Sequence, residues 1–506
     1  MPAQTHLDAL NTDHVHADLK GQSVRGGLVT LSSQGAQFFI QSISTVVLAR
    51  LLTPADFGLV AMVTAITGLV SAFADFGLSE ATIQNKDINH DQVNLLFWIS
   101  VAIGLGLTFA TAALAPVLAR LYREPRLVNI TLALSLTFLV GSLRAQPVAL
   151  LKRQMRFSSL AIMDITSYGL AVPIAITLAW RGAGYWAIVS LPLMLNLTPM
   201  ALSWLMTNWR PTLPRRDVKV GSLVAFGGNV AGSYFTINLI RSADSALIGW
   251  YWGAAPLGLY SRAYNLLMLP VRQLSAPAGN VAITTFSKLQ GDPERFARYY
   301  LRTVNLIAWI SAPLFGLLFV AAEPVIVLLL GSQWREAAAV FRILVLSAMG
   351  QLLLESSLWL FVSRGCSKEL LRLLLIISPI IVASFVVGLP FGIKGVAMAG
   401  SLVWLAILPW MLKFAFRGTN LTLLRLGRAL LCPISLSLAG ILLGESALSI
   451  LAPKHILPQL LTVGLAFAAV CFSSALLPQV QEEIRSFRNL LGTFGLSRRA
   501  VEPTAE

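Results

Sequence analysis

Charge is scarce in this sequence, and acid is scarcer than base. Asp, Glu, Lys and Arg make up 12% of the 506 residues, against about 25% in ordinary globular domains, and 23 acidic side chains stand against 38 basic ones. With 56% hydrophobic residues and a mean hydropathy of +0.73, too little polar surface remains to solvate a folded body of this size. That excludes the set of soluble domains that length alone would suggest. Cysteine is nearly absent. Cys366, Cys432 and Cys471 share no metal-ligand spacing and are too few for a disulfide framework, so they read as small apolar packing residues. Residues 1–25 lack an apolar core followed by a small-residue cleavage site, so no signal peptide is read there. His14 and His16 have the spacing of a metal pair, but they stand in a polar tail and read as tail. Walker A, HExxH and nucleophile-elbow patterns are missing too, which argues against ATP-driven work by this chain alone and against an enzyme. No metal site or cofactor is expected.

What is there is length without charge. Segments free of Asp, Glu, Lys and Arg cover 26–49, 57–74, 92–119, 127–143, 165–180, 182–209, 220–240, 303–322, 373–393, 395–412, 429–444 and 456–481. A helix needs about 20 mostly apolar residues to cross the hydrocarbon core. Two more spans with internal charge, near 256–287 and 341–363, bring the expected number of transmembrane helices to fourteen. The predicted class is an all-α polytopic membrane protein. A basic balance of +15 would raise nucleic acid as a partner in a soluble protein. Here the basic residues come in small groups between apolar runs, and no nucleic-acid partner is expected. With the N-terminus inside, 26 Lys and Arg fall on the inner side, nine on the outer, and Arg241, Arg262 and Arg272 lie within or at the edge of spans. That bias puts both termini in the cytoplasm. After Pro478, the apolar Val480, Ile484, Phe487, Leu491 and Phe494 share a face among Arg485, Arg488, Arg498 and Arg499, the pattern of an interfacial helix on anionic membrane lipids.

Local patterns recur 200 to 212 residues apart. LTPADFGLV (52–60) is echoed by GAAPLGLY (253–260), aligning Gly58 with Gly258. LYREP (121–125) is echoed by QWREA (333–337), LLKRQ (150–154) by FVSRG (361–365) with Arg153 on Arg364, and RGAGYWAI (181–188) by GIKGVAMA (392–399) with Gly184 on Gly395. Apolar helices with glycine-rich turns resemble one another by composition, yet four echoes in the same order favour a repeat. The expected layout is a tail (1–25), an N-lobe of six helices (26–209), a basic linker (210–222), a C-lobe of six helices (223–413), two extra helices (414–478) and an amphipathic cytoplasmic tail (479–506). Parallel repeats about an axis along the membrane normal place a transporter's site between the lobes.

Ionisable and amide groups inside spans mark a cavity or a structural partner. Gln34, Gln37 and Gln41 share one face of the first helix, either as a cavity wall or as interhelical hydrogen-bond glue. Tyr234, Asn238 and Arg241 follow at i, i+4, i+7 on the seventh, with Asp244 three residues after the arginine. Arg241 either pairs with Asp244 or meets an anionic substrate through its paired N–H donors. The eighth span carries Arg262 and Arg272 around Pro270 and Pro277, a kinked wall, although Arg262 at headgroup level would snorkel. Carboxylates stand at Asp75, Asp164, Glu323 and Glu355. Of the acidic groups, Asp75, Asp244 and Glu355 are the candidates for taking a coupling H⁺ or Na⁺, with a capped or salt-bridged span end as the alternative.

The runs ARLLTPADFGLVAMV (49–63), ADFGLSEATIQ (74–84), LLKRQMRF (150–157), GAGYWAIV (182–189) and GLYSRAYNLLMLP (258–270) resemble polysaccharide-transporter-type, Wzx-like flippases of the multidrug/oligosaccharidyl-lipid/polysaccharide exporter superfamily. The resemblance implies two six-helix lobes around a cationic cavity in a bacterial inner membrane. Its cargo would be a polyprenyl-pyrophosphate-linked oligosaccharide for exopolysaccharide, capsule or O-antigen, moved by alternating access and handed to polymerase and export machinery. Arg241, Arg262 and Arg272 would then face the pyrophosphate or acidic sugars, and Gln34, Gln37, Gln41, Tyr234 and Asn238 the glycan. Two rival readings are a multidrug or cation antiporter of the same superfamily, which wants a decisive acidic cavity, and a membrane-embedded glycan polymerase or ligase, which wants a large outer loop.

Overall fold

The structure, a computed structural model, describes residues 19–71, 73–74, 77–85, 88–214, 238–239, 241–453, 455–474 and 481. No strand occurs among them. The helices are α1 (Leu19–Leu51), α2 (Pro54–Ser71), α3 (Leu78–Gln84), α4 (His90–Leu121), α5 (Leu127–Arg153), α6 (Phe157–Trp180) and α7 (Tyr185–Met206), followed by helical residues 241–252. Then come α8 (Ala254–Lys288), α9 (Pro293–Val320), α10 (Ala322–Leu330), α11 (Arg335–Ser363), α12 (Ser367–Gly388), α13 (Gly392–Ala415), α14 (Leu423–Leu451) and α15 (Ile456–Ser474). Ten helical runs among the described residues are long and apolar enough to cross a bilayer. The protein is a multi-pass membrane protein. Its exposed apolar residues, among them Phe109 at 71% and Phe472 at 78% exposure, suit lipid rather than water. The tail histidines, the span 220–237, Asp75, Tyr234 and the C-terminal amphipathic stretch lie outside the described residues.

Short polar signals start the helices. Thr53 caps α2 with Asp56 in return: the Thr53 N–H and hydroxyl donate to Asp56 Oδ2 at 3.0 and 2.6 Å, and the Asp56 N–H donates to Thr53 Oγ1. Pro54 takes the first helical position, where its missing N–H costs nothing. Asn89 and Gln92 form the same reciprocal box at α4. Within helices, Ser and Thr hydroxyls donate back one turn, as Thr108 to Gly104 O and Ser142 to Leu139 O, both at 2.8 Å. No hydroxyl treated this way is stranded in lipid.

Two details depart from the apolar-run reading. The tenth span begins earlier than 341, because α11 runs from Arg335 through charges that had broken the run. Between α2 and α4 stands the short α3, tied to α5 by Thr82 Oγ1 to Gln146 Oε1 at 2.8 Å and by Arg153, which donates to Thr82 O (3.0 Å) and Asn85 O.

The chain forms two compact units: Met1–Leu266 with Leu329–Ile343 and Ser367–Ile407, and Leu267–Leu328 with Leu344–Cys366 and the residues from Leu408 onward. In the first, α4 packs on α5, α6 on α7 and α1 on α6. In the second, α14 packs on α9 and α15 on α14. Small residues let these last helices approach closely. Ser437 donates to Ala312 O at 2.6 Å, and a Cβ on Gly440 would stand 2.5 Å from Phe467 Cε1.

Candidate functional site

The first turns of α2 and α8 touch backbone to backbone. A Cβ built on Gly58 would overlap the Ala254 carbonyl and lie 2.9 Å from Ala254 Cα; one on Gly258 would overlap the Pro54 carbonyl, 2.7 Å from its carbon. Segment 54–58 thus meets 254–258 as 254–258 meets 54–58. The contact is reciprocal, and it joins the two glycines that the sequence echo aligns. Both helix starts belong to the first unit.

Around that crossing the first unit is closed by side chains. Phe57 packs edge-on against Trp334, with ring centroids 5.4 Å apart, and the Arg262 guanidinium lies 3.7 Å over the Phe57 ring. Trp334 is fully buried, and its indole N–H donates to Ala49 O at 2.8 Å. Gln333 Nε2 donates to Ala49 O and Leu52 O at 2.6 and 3.0 Å, and Arg50 Nε reaches Leu329 O at 3.4 Å. Carbonyls at the end of α1, which have no partner within their own helix, are therefore bound by the turn before α11.

The other candidates fall into three settings. Asp244 is buried, and its carboxylate accepts from the Tyr260 hydroxyl at 2.8 Å and the Ser245 N–H at 2.5 Å. It makes no ion pair with Arg241, which is helical and exposed. Spacing three residues apart permits that pair, but Tyr260 on α8 takes the carboxylate instead, and Tyr260 stacks parallel to Tyr264 at 6.4 Å. Gln37 is half-buried and donates to Ser33 Oγ (3.0 Å) and across to Asp164 Oδ2 on α6 (3.2 Å), whereas Gln34 and Gln41 are exposed. Asn238 is half-buried. In the second unit Arg272 is exposed and Glu355 is half-buried. Among the described candidates, therefore, the structure brings together Arg262 with Phe57, and Gln37 with Asp164. Tyr260 and Trp334 were missed from sequence. The signals that could have found them were the tyrosine pair in GLYSRAY and the aromatic in the QWREA echo.

An arginine does a comparable job in each half. Arg156 donates to Met206 O at the end of α7 (2.8 Å), and Arg364 donates to Ala415 O at the end of α13 (3.1 Å). The partner in role of Arg364 is therefore Arg156, three residues beyond the aligned Arg153.

A family profile described as "Polysaccharide biosynthesis protein" matches residues 47–339. The succinoglycan biosynthesis transport protein ExoT of Rhizobium meliloti (strain 1021) is 26% identical over 63% of this chain and 65% of its own length. The lipopolysaccharide biosynthesis protein WzxC of Escherichia coli (strain K12) is 24% identical over 59% and 61%. The chain thus spans less than two thirds of the length of these curated relatives. Among solved structures, the lipid II flippase MurJ in its inward closed conformation aligns with a TM-score of 0.68 at 13% identity, covering 89% of this chain and 99% of that one. An inward-facing multidrug resistance MATE family transporter aligns at 0.60 and 13%, covering 75% and 94%. These two likenesses establish the fold.

Proposed function

Because the chain belongs to the polysaccharide biosynthesis protein family, within the polysaccharide-transporter branch of the multidrug/oligosaccharidyl-lipid/polysaccharide exporter superfamily, we propose that it is a flippase for polyprenyl-pyrophosphate-linked oligosaccharide repeat units. It moves them across the bacterial cytoplasmic membrane for surface-polysaccharide synthesis and performs no bond chemistry of its own. The observation that carries this reading is a cation that no described carboxylate pairs with, in a body poor in charge. Arg241 is exposed, and the carboxylate three residues on is buried and bonded to Tyr260. An uncompensated arginine in a span costs about 2.5–3.5 kcal/mol on insertion scales, and an anionic cargo group with paired acceptors offsets that cost. A cation exporter gains nothing from it.

Fourteen spans support the transport reading. The ten apolar runs include residues 368–415 as one, which the turn at Leu389–Phe391 divides into α12 and α13. To these we add α1 and α8, whose polar residues lower their hydropathy, and the 220–240 segment. An even number puts both termini on one side, and the Lys and Arg bias assigns that side to the cytoplasm. Two six-helix lobes alternate their access, with the reciprocal Gly58–Gly258 contact as a closure near their pseudo-two-fold axis. Asp244 bonded to Tyr260, together with Asp75 and Glu355, are the positions proposed to take a coupling proton or Na⁺. Polymerase and export machinery would receive the cargo.

The test is a strain lacking the gene, assayed for surface polymer and for lipid-linked repeat units in the inner leaflet. Loss of polymer with accumulation of the lipid-linked unit is expected; normal polymer without accumulation refutes the reading. Arg241→Ala at equal protein level is expected to lower polymer output at least tenfold, and full output would remove Arg241 from the cargo path.

A further inference from the structure

The turn between α4 and α5 carries three arginines in seven residues, Arg120, Arg123 and Arg126, on the side that the Lys and Arg bias leaves poor in positive charge. Among the described residues, one of them has an ion-pair partner. Arg126 forks onto Glu124, with Nε and Nη2 donating to the two carboxylate oxygens at 2.8 and 2.9 Å. Hydrogen bonding to that guanidinium holds the Glu124 carboxyl below the usual range, so the turn's only carboxylate is committed to Arg126. Arg120 and Arg123 are exposed and form no ion pair or hydrogen bond through their guanidinium groups with any described residue.

Beneath them is an open notch of about 420 Å³, lined by both arginines and by Pro116, Ala119, Pro125 and Val128. It lies where the charge-free run 92–119 ends, at the depth of lipid headgroups. Its apolar floor continues along both helices: Phe109 lies two turns below Pro116 on α4, and Leu132 one turn beyond Val128 on α5, both exposed.

The backbone also holds Arg123 in an unusual way. α4 ends with the Glu124 N–H donating to Ala119 O at 2.9 Å and the Arg123 N–H to Arg120 O at 3.3 Å. This is the hydrogen-bond pair of a Schellman cap, whose left-handed position is usually glycine. Gly182 and Gly365 fill it after α6 and α11; Met155 fills it after α5, and Arg123 does so here at φ +54°. A residue with a Cβ is sterically disfavoured there. Both Arg123 and its position therefore run against local preference.

We propose that this notch binds the headgroup of an anionic phospholipid, its phosphate between Arg120 and Arg123 and an acyl chain along the apolar floor. Charge complementarity selects the headgroup, and the floor selects a lipid over a free anion. Arginine near a membrane surface matches acidic lipid phosphate through paired N–H donors. This assignment is independent of the cargo.

The full-length protein, delipidated in detergent, would be titrated with phosphatidylglycerol or phosphatidylcholine, and bound lipid counted by native mass spectrometry. Preferential binding of phosphatidylglycerol is expected, weakened about fivefold per arginine in Arg120→Gln/Arg123→Gln. Val128→Asp, which keeps both arginines but sets a carboxylate in the notch, should weaken it as well. Arg181→Gln, an exposed arginine on another turn, should leave binding unchanged. Equal binding of the two lipids, or phosphatidylglycerol binding unchanged in both notch variants, overturns the proposal. Displacement of the lipid by equimolar inorganic phosphate also overturns it, since the site would then be a simple anion site.

Discussion

Adding one methyl group at Gly58 tests the closure directly. In Gly58→Ala the new Cβ overlaps the Ala254 carbonyl and stands 2.9 Å from Ala254 Cα. Carbon atoms prefer about 3.5–4.0 Å and the overlapping carbonyl oxygen lies nearer still, so the first turns of α2 and α8 must separate by well over an ångström. Neither side of the contact is a flexible side-chain end. Backbone opposes backbone, held by the Thr53–Asp56 cap on α2. Overpacking of this kind costs about 1–3 kcal/mol, and it falls only on the state in which the two turns touch. A bias of about 2 kcal/mol is a factor of roughly thirty in population. The assay is labelling of Ala254→Cys by a membrane-impermeant maleimide in a background with Cys366, Cys432 and Cys471 replaced. Labelling should rise at least tenfold with Gly58→Ala, while polymer output falls. Gly258→Ala should act equally, because its Cβ meets the Pro54 carbonyl in the same way. The double variant should add less than the sum, since both act on one contact. Unchanged labelling and unchanged output in both single variants would refute the closure argument.

Trp334→Phe removes one of two donors to Ala49 O and should lower stability by about 0.5–1.5 kcal/mol, seen as a lower Tm in detergent. Adding Gln333→Leu leaves that carbonyl without a donor from this turn, so the pair should cost more than the sum. Tyr260→Phe strips the buried Asp244 carboxylate of its partner across helices and should cost about 1–3 kcal/mol; Asp244→Asn, still able to accept from the hydroxyl, should cost less. A reversed order in Tm would show that this hydrogen bond is unimportant. Gly440→Val should be destabilising by about 1–3 kcal/mol through overlap with Phe467, and Phe467→Ala in the same chain should recover part of the Tm that Gly440→Val loses. No recovery would place the strain elsewhere.

Composition and spacing determined the class of this protein because lipid makes a one-dimensional demand. A span must run about 20 residues nearly free of charge, and such runs are visible without knowing what lies beside them. The crossing of α2 and α8 left a mark for a related reason: Gly58 and Gly258 are glycines where two backbones cross, and a residue that must lack a side chain is visible in the sequence. Partner choice left no such mark. Arg241 and Asp244 stand at a spacing that permits a pair, yet the carboxylate turns to Tyr260 because α8 brings a hydroxyl within 2.8 Å. Arg262 lies over Phe57, 205 residues away in the chain, and Gln37 meets Asp164 across 127. Hydropathy counts residues along one helix, whereas a polar side chain in a bundle is settled by whichever neighbouring helix presents a donor, acceptor or ring at the same depth, and only the tertiary structure decides that.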